Sequence, residues 1–152
     1  MVKTLVAQAE IKGSLRDVFL DLSESPDFFP KHFHGFKPLI PGILQVTPEG
    51  KIAKGILRKV LLSDGSSVIE RITDHVPHHL HSYEMAELNK LQKLVCQSMS
   101  ATFKLEELKG AVRVTWTYQI KSDNPLQTPL ILLVGWAFGK AMERCLASMA
   151  KG

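Results

Sequence analysis

Arg58 and Glu70 are the side chains in this sequence best placed for acid–base chemistry, because each sits among apolar neighbours at strand spacing. Alternation along Lys51–Leu62 puts Ile52, Ile56, Arg58, Val60 and Leu62 on one face. The same parity groups Glu70 with Val68 and Ile72 and leaves Arg71 and Thr73 opposite. Further on, one face carries His79, His81, Tyr83 and Met85, and another carries Gln97, Met99, Ala101, Phe103 and Leu105. A last one carries Val114, Trp116, Tyr118 and Ile120. If these are the concave faces of a sheet, Arg58, Glu70, Tyr83, Gln97 and Tyr118 converge in an apolar surround, which is what a small-molecule site requires. Desolvation pushes a carboxyl between Val68 and Ile72 towards its neutral form, and a nearby guanidinium pulls it back. Such a pair can move a proton, with Glu70 as acid or base, Arg58 stabilising an enolate, and Tyr83 or Tyr118 orienting a carbonyl. A bulge would invert the parity and make Arg58 and Glu70 a surface cross-strand ion pair, with Tyr83, Trp116 and Tyr118 as core aromatics. Both readings stand at this point.

Other chemistries have weaker support. Of six histidines, His75, His78, His79 and His81 gather around Pro77, and His32 and His34 flank Phe33. No cysteine or carboxylate joins them at zinc-site spacing, so they read as strand ends and loops and no metal is expected. Cys96 and Cys145 form no metal or redox spacing and read as reduced core residues. There is no glycine-rich phosphate loop and no nucleophile elbow, and no cofactor is expected. The net charge is +4, but the basic residues are scattered among acids rather than massed in the footprint a nucleic acid needs.

The elements that must position these residues are a set of strands and one long helix. Thr128 can cap and Pro129 suits the first helical position, so a helix is predicted over Pro129–Met149. Leu130, Ile131, Val134, Phe138, Ala141, Met142, Cys145, Leu146 and Met149 share its broad apolar face. Leu132, Leu133 and Trp136 make its first turns apolar all round, which calls for a wrapping partner. Gly135 and Gly139 thin it, either to leave room for a ligand beside Val134 and Phe138 or to let helix and sheet pack closely. Ahead of it, Val2–Lys12 alternates as a first strand, and Ser14 and Ser25-Pro26-Asp27 start two short helices. An aromatic and basic loop follows, in which Phe33 and Phe36 could be a cavity lid and mouth or a partner patch. Strands are then expected at Ile43–Val46, Lys51–Leu62, Ser67–His75, His79–Met85, Leu94–Leu105 and Ala111–Ile120. The result is an α+β architecture, a curved antiparallel sheet of about six to seven strands around a C-terminal helix, in one domain over 1–152. No secretory signal is visible and the apolar run at Leu130–Phe138 is too short to span a bilayer, so a cytoplasmic location is expected. The oligomeric state stays open.

This order of elements resembles the helix-grip fold of the START, birch-allergen-like and polyketide cyclase/dehydrase (SRPBCC) superfamily. The stretches Gly55-Ile56-Leu57-Arg58-Lys59-Val60 and Ser67-Val68-Ile69-Glu70-Arg71-Ile72 are similar to its paired strands. The resemblance implies an internal cavity for a small apolar ligand such as a lipid, polyketide or aromatic molecule. It also implies that Arg58 and Glu70 face that cavity, and that a minority of relatives are cyclases, dehydratases or lyases. The hormone receptors of the superfamily carry latch and gate loops that Lys31–Pro41 and Met85–Gln92 do not match.

Overall fold

The computed structural model describes residues 1–152. Its framework is a seven-stranded antiparallel sheet in the order β1-β7-β6-β5-β4-β3-β2. The strands are β1 (Val2–Lys12), β2 (Ile43–Pro48), β3 (Leu57–Leu62), β4 (Ser67–Val76), β5 (Leu80–Glu87), β6 (Ser98–Leu108) and β7 (Ala111–Lys121). The period-two pattern is cleanest in β7, where Val112, Val114, Trp116, Tyr118 and Ile120 are buried and the residues between them are half-exposed. Phe103 of β6 lies opposite Trp116 with the rings stacked at 4.8 Å, and Ala101 opposite Tyr118. Large and small side chains thus interleave on the concave face.

Helices α1 (Leu15–Glu24) and α2 (Phe28–His32) follow β1. Ser14 caps α1 through the Asp17 N–H, and Val18, Phe19 and Leu22 form its buried face. The long helix α4 (Thr128–Lys151) closes the molecule and is preceded by a short 3-10 turn over Pro125–Gln127. Thr128 is its first helical residue rather than its cap, because Asn124 has already capped the preceding turn through the Leu126 N–H. Ile131, Ala137, Ala141, Met142, Cys145, Leu146 and Met149 of α4 are buried. This is the helix-grip arrangement, and burial of each of the larger of these side chains contributes roughly 1.5–3 kcal/mol.

Several expectations are corrected. The strand expected from Lys51 begins only at Leu57, because Gly55 turns the chain at a φ of +92° while its N–H still donates to the Ile72 carbonyl. The stretch from Leu94 does not enter a strand directly. Lys90–Val95 is a helix (α3), fixed by a reciprocal capping box between Asn89 and Gln92. Leu130, Leu132, Leu133 and Trp136 of α4 are not wrapped but exposed, since the sheet grips the helix from one side only, where Ile131 and Gly135 are buried. Gly135 serves close packing: a Cβ there would stand 3.3 Å from Lys3 Cγ and 3.8 Å from Leu5 Cδ2 on β1. Gly139 faces open space.

The loop after α2 depends on one glycine. Phe36 and Ile40 exchange two backbone hydrogen bonds of 2.8 Å, and Gly35, at a φ of +76°, brings its Cα against the Ile40 carbonyl. A Cβ on Gly35 would overlap that oxygen. Gly35→Ala is therefore expected to lower stability by about 2 kcal/mol or more through backbone strain and displacement of the loop. An unchanged midpoint in urea unfolding would show that the loop does not need this conformation.

Candidate functional site

The concave face of β3–β7, the loop 33–41, α3 and the first half of α4 enclose a cavity of about 420 Å³. Of the 27 residues lining it, 21 are hydrophobic, so its interior favours an apolar occupant. Strand alternation supplies Val60 and Leu62 from β3, Val68 and Glu70 from β4, and Tyr83 and Met85 from β5. Met99 comes from β6, and Trp116, Tyr118 and Ile120 come from β7. The helix contributes Leu130, Leu133, Val134 and Phe138. Phe138 packs at 4.4 Å on Tyr118 and 5.7 Å from Phe33, and Phe33 closes the wall from the loop. The lining residues that reach solvent, Pro38, Leu39, Asp64, Leu91, Leu130 and Leu133, mark the mouth.

At the deep end, Arg58 and Glu70 are cross-strand partners on β3 and β4, and Arg58 Nε donates to Glu70 Oε1 at 2.7 Å. They are 3% and 5% exposed, which removes the reading of a surface pair. Glu70 lines the cavity, but Arg58 lies behind it, its guanidinium 4.8 Å from the Tyr83 ring centre and 5.8 Å from that of Phe29. Two buried donors here have no protein partner, Arg58 Nη2 and Trp116 Nε1. Burial first, and then the Glu70 charge, holds the Tyr83 hydroxyl well above the ordinary tyrosine range. Burial followed by Tyr83 does the same for Tyr118, so both phenols stay protonated. Burial also pushes Cys96 up to about 11 and Cys145 up to about 12, which keeps both as thiols.

Two sequence candidates fall outside the cavity. Gln97 precedes β6 rather than standing in it, is exposed, and accepts a hydrogen bond from the Asp123 N–H. Parity extended from β6 by one residue too many had placed it inside. Phe36 points away from the cavity and stacks edge-on against Trp136 at 5.3 Å, with the Arg144 guanidinium 4.7 Å from its ring centre. Conversely, Asn89, Leu91, Gln92, Val95 and Cys96 line the cavity and were not anticipated. The signal for them is Asn89-x-x-Gln92, a capping-box pattern just ahead of the Leu94–Leu105 stretch that reads as a strand.

His81 occupies the inner face next to Tyr83, but its surroundings belong to α1. Its ring lies 5.3 Å from that of His75, with the two Nδ1 atoms 3.2 Å apart, and His75 packs on Phe19 at 5.2 Å. His75 Nε2 stands 3.8 Å from the Glu24 carboxylate. His81 is fully buried, and burial, the Arg58 charge and His75 together pull it down to about 3.

The whole-chain comparisons agree with this architecture. Among solved structures, the di-domain ARO/CYC BexL from the BE-7585A biosynthetic pathway is similar at a TM-score of 0.74 and 12% identity. That match covers 99% of this chain and 49% of BexL, so this chain corresponds to about half of it. The protein TTHA0849 from Thermus thermophilus gives a TM-score of 0.72 at 12% identity over 98% of this chain and 95% of that one. Major latex-like protein 151 from Panax ginseng gives 0.60 at 16% identity over 94% and 97%. No curated protein matches the sequence. The family model described as polyketide cyclase / dehydrase and lipid transport matches residues 5–151. A match over nearly the whole length, on a sheet that grips a C-terminal helix around an apolar cavity, shows that the chain belongs to the polyketide cyclase/dehydrase and lipid-transport family.

Proposed function

We propose that this protein binds and carries a small apolar molecule with one polar end. The observation that carries the reading is the cavity itself: mostly apolar walls, open at one end, with polar groups at depth from Glu70, Tyr83, Trp116 and Tyr118. An occupant burying about 300 Å² of apolar surface would gain roughly 7 kcal/mol before the costs of association, so affinity needs no further chemistry. An oxygen at the deep end of the ligand would take up the Trp116 Nε1 hydrogen and, after a small shift of Glu70, that of Arg58 Nη2. Relatives named for cyclase and lipid-transport functions add general support for a small-molecule role.

The experiment is displacement of an environment-sensitive apolar fluorophore, with native mass spectrometry of the purified protein to detect a retained molecule. Val134→Trp, on the half-buried wall of the helix, fills the cavity from the side that can give. It is expected to weaken fluorophore binding about 30-fold or more with the fold retained, since a blocked cavity forfeits most of the apolar burial. Binding unaffected by Val134→Trp would remove the cavity from the reading.

A second reading, a small cyclase, dehydratase or isomerase, is favoured by the single observation that an ion-paired carboxylate faces an apolar cavity. In it Glu70 exchanges the proton and Arg58 acts through Glu70 rather than on the substrate. Glu70→Gln preserves shape and removes the proton-transfer group. Turnover lost in that variant with fluorophore binding intact would support the enzyme; a parent protein that binds candidate ligands and never turns them over would leave the carrier.

A further inference from the structure

Exposed apolar side chains gather on the segments that line the mouth of the cavity. Leu126 on the 3-10 turn is 84% exposed, Leu94 on α3 is 65% exposed, and Trp136 on α4 is 54% exposed. Leu91, Leu130 and Leu133, which line the mouth, are exposed as well. These residues come from separate segments that the fold brings together: Gln127 Nε2 donates to the Lys93 carbonyl, tying the start of α4 to α3. Trp136 is tied to the loop 33–41 through Phe36. Folded chains expose lone leucines freely, but several exposed apolar side chains on the segments that line one opening point to an interaction site.

Charge identifies the partner. The three segments that frame the mouth, residues 31–41, 89–96 and 125–142, contain Lys31, Lys37, Lys90, Lys93 and Lys140 and no aspartate or glutamate. The first acid on α4 is Glu143, which lies 3.8 Å from Lys140. Of the acids that line the cavity, Asp64 at the tip of the β3–β4 hairpin is the exposed one, and its carboxylate accepts from the Ser66 N–H and hydroxyl; Glu87 and Asp123 flank the framing segments. Long lysine stems around projecting leucines and a half-exposed tryptophan match a bilayer interface with anionic headgroups, which takes apolar tips into the acyl boundary and cations at the phosphates.

We propose that the protein docks, mouth first, on an anionic lipid membrane, so that an apolar ligand passes between bilayer and cavity without crossing water. The passage of ligand rests on the carrier reading, but the two fail separately, since vesicles test the rim and fluorophore displacement tests the cavity. Trp116 is buried and Trp136 exposed, so a change in tryptophan emission on docking reports Trp136.

The test titrates the full chain with vesicles of phosphatidylcholine alone and of phosphatidylcholine containing phosphatidylglycerol, following emission and co-sedimentation. A blue shift and co-sedimentation with the anionic vesicles, reduced by salt, are expected. Brominated acyl chains should quench the emission. Lys90→Gln with Lys93→Gln should weaken binding about 30-fold, at roughly fivefold per lysine. Leu94→Ser with Leu126→Ser should abolish the shift without lowering stability, both side chains being exposed. Lys109→Gln, at the opposite end of β6, should change nothing. Equal binding to neutral and anionic vesicles, or no shift with either, would overturn the proposal. So would a vesicle-free, concentration-dependent blue shift with dimer sedimentation, which would make a second copy of the chain the occupant.

Discussion

Replacing Arg58 by alanine is expected to cost the fold about 3–5 kcal/mol, because it leaves the Glu70 carboxylate buried without its counter-charge. Glu70 is 5% exposed, and its only side-chain hydrogen bond is the 2.7 Å one from Arg58 Nε. The loss also empties the space against the Tyr83 and Phe29 rings, where the guanidinium now makes cation–π contacts. For a chain of this size the melting temperature should fall by about 10 °C. Arg58→Met combined with Glu70→Leu removes both charges at similar volume and should recover most of the loss, since a buried pair adds little beyond an apolar substitute. Urea unfolding of the two single variants and the double gives the coupling directly. A loss below about 1 kcal/mol for Arg58→Ala would mean that Glu70 is solvated or neutral in the folded protein, and the ion pair would cease to explain the deep end of the cavity.

Acid should unfold this protein earlier than its carboxylates alone would require. His81 is held down to about 3 in the folded state by burial and by Arg58, against an ordinary value of 6.5. The unfolded chain therefore binds a proton below 6.5 that the folded chain refuses, and stability rises with pH across that window. The contribution is complete above pH 6.5, falls by about 1.4 kcal/mol for each unit below it, and is exhausted near the folded value. At pH 4 the loss through His81 is about 3 kcal/mol. His75 and His32 are also lowered, each chiefly by burial, and act in the same direction. Thermal melts between pH 7.5 and 4 should show the parent losing stability steadily, with His81→Phe flattening the slope by about one proton per molecule. An identical slope in parent and variant would show that His81 charges in place and that α1 opens to let it. This acid sensitivity has its origin in the burial of His81 between Arg58 and His75, the latter covered by Phe19 of α1.

What the chain declared in one dimension is the alternation and the amphipathic helix. Val112 to Ile120 could be assigned to an inner face because each strand residue points opposite to the last, whatever the sheet does later. The same rule placed Glu70 and Arg58 inward, and the capping sequence at Ser14 placed α1. The rule failed where an element ended unseen. Gln97 lies one residue outside β6, and no pattern marks that boundary, so parity ran on into an exposed turn. The apolar residues around Leu91 and Leu94 suit a strand and a short helix equally, and the Asn89–Gln92 capping box decided for the helix. Apolarity alone could not reveal that Leu132, Leu133 and Trp136 stay in water, since hydrophobic sequence says only that burial would be favourable, not that a partner is within reach.

By itself, then, the sequence determined the inward faces within the strands, the element order apart from α3, and the chemistry available at Arg58, Glu70, Tyr83, Trp116 and Tyr118, all of which depend on neighbours a few positions apart. Only the tertiary structure decided that Glu70 lines the cavity while Arg58 lies behind it, that His81 is buried against His75, and that leucines from three segments frame one mouth. Those relations join residues that are far apart along the chain, and they are set by sheet curvature and helix docking, which periodicity along a single strand does not encode.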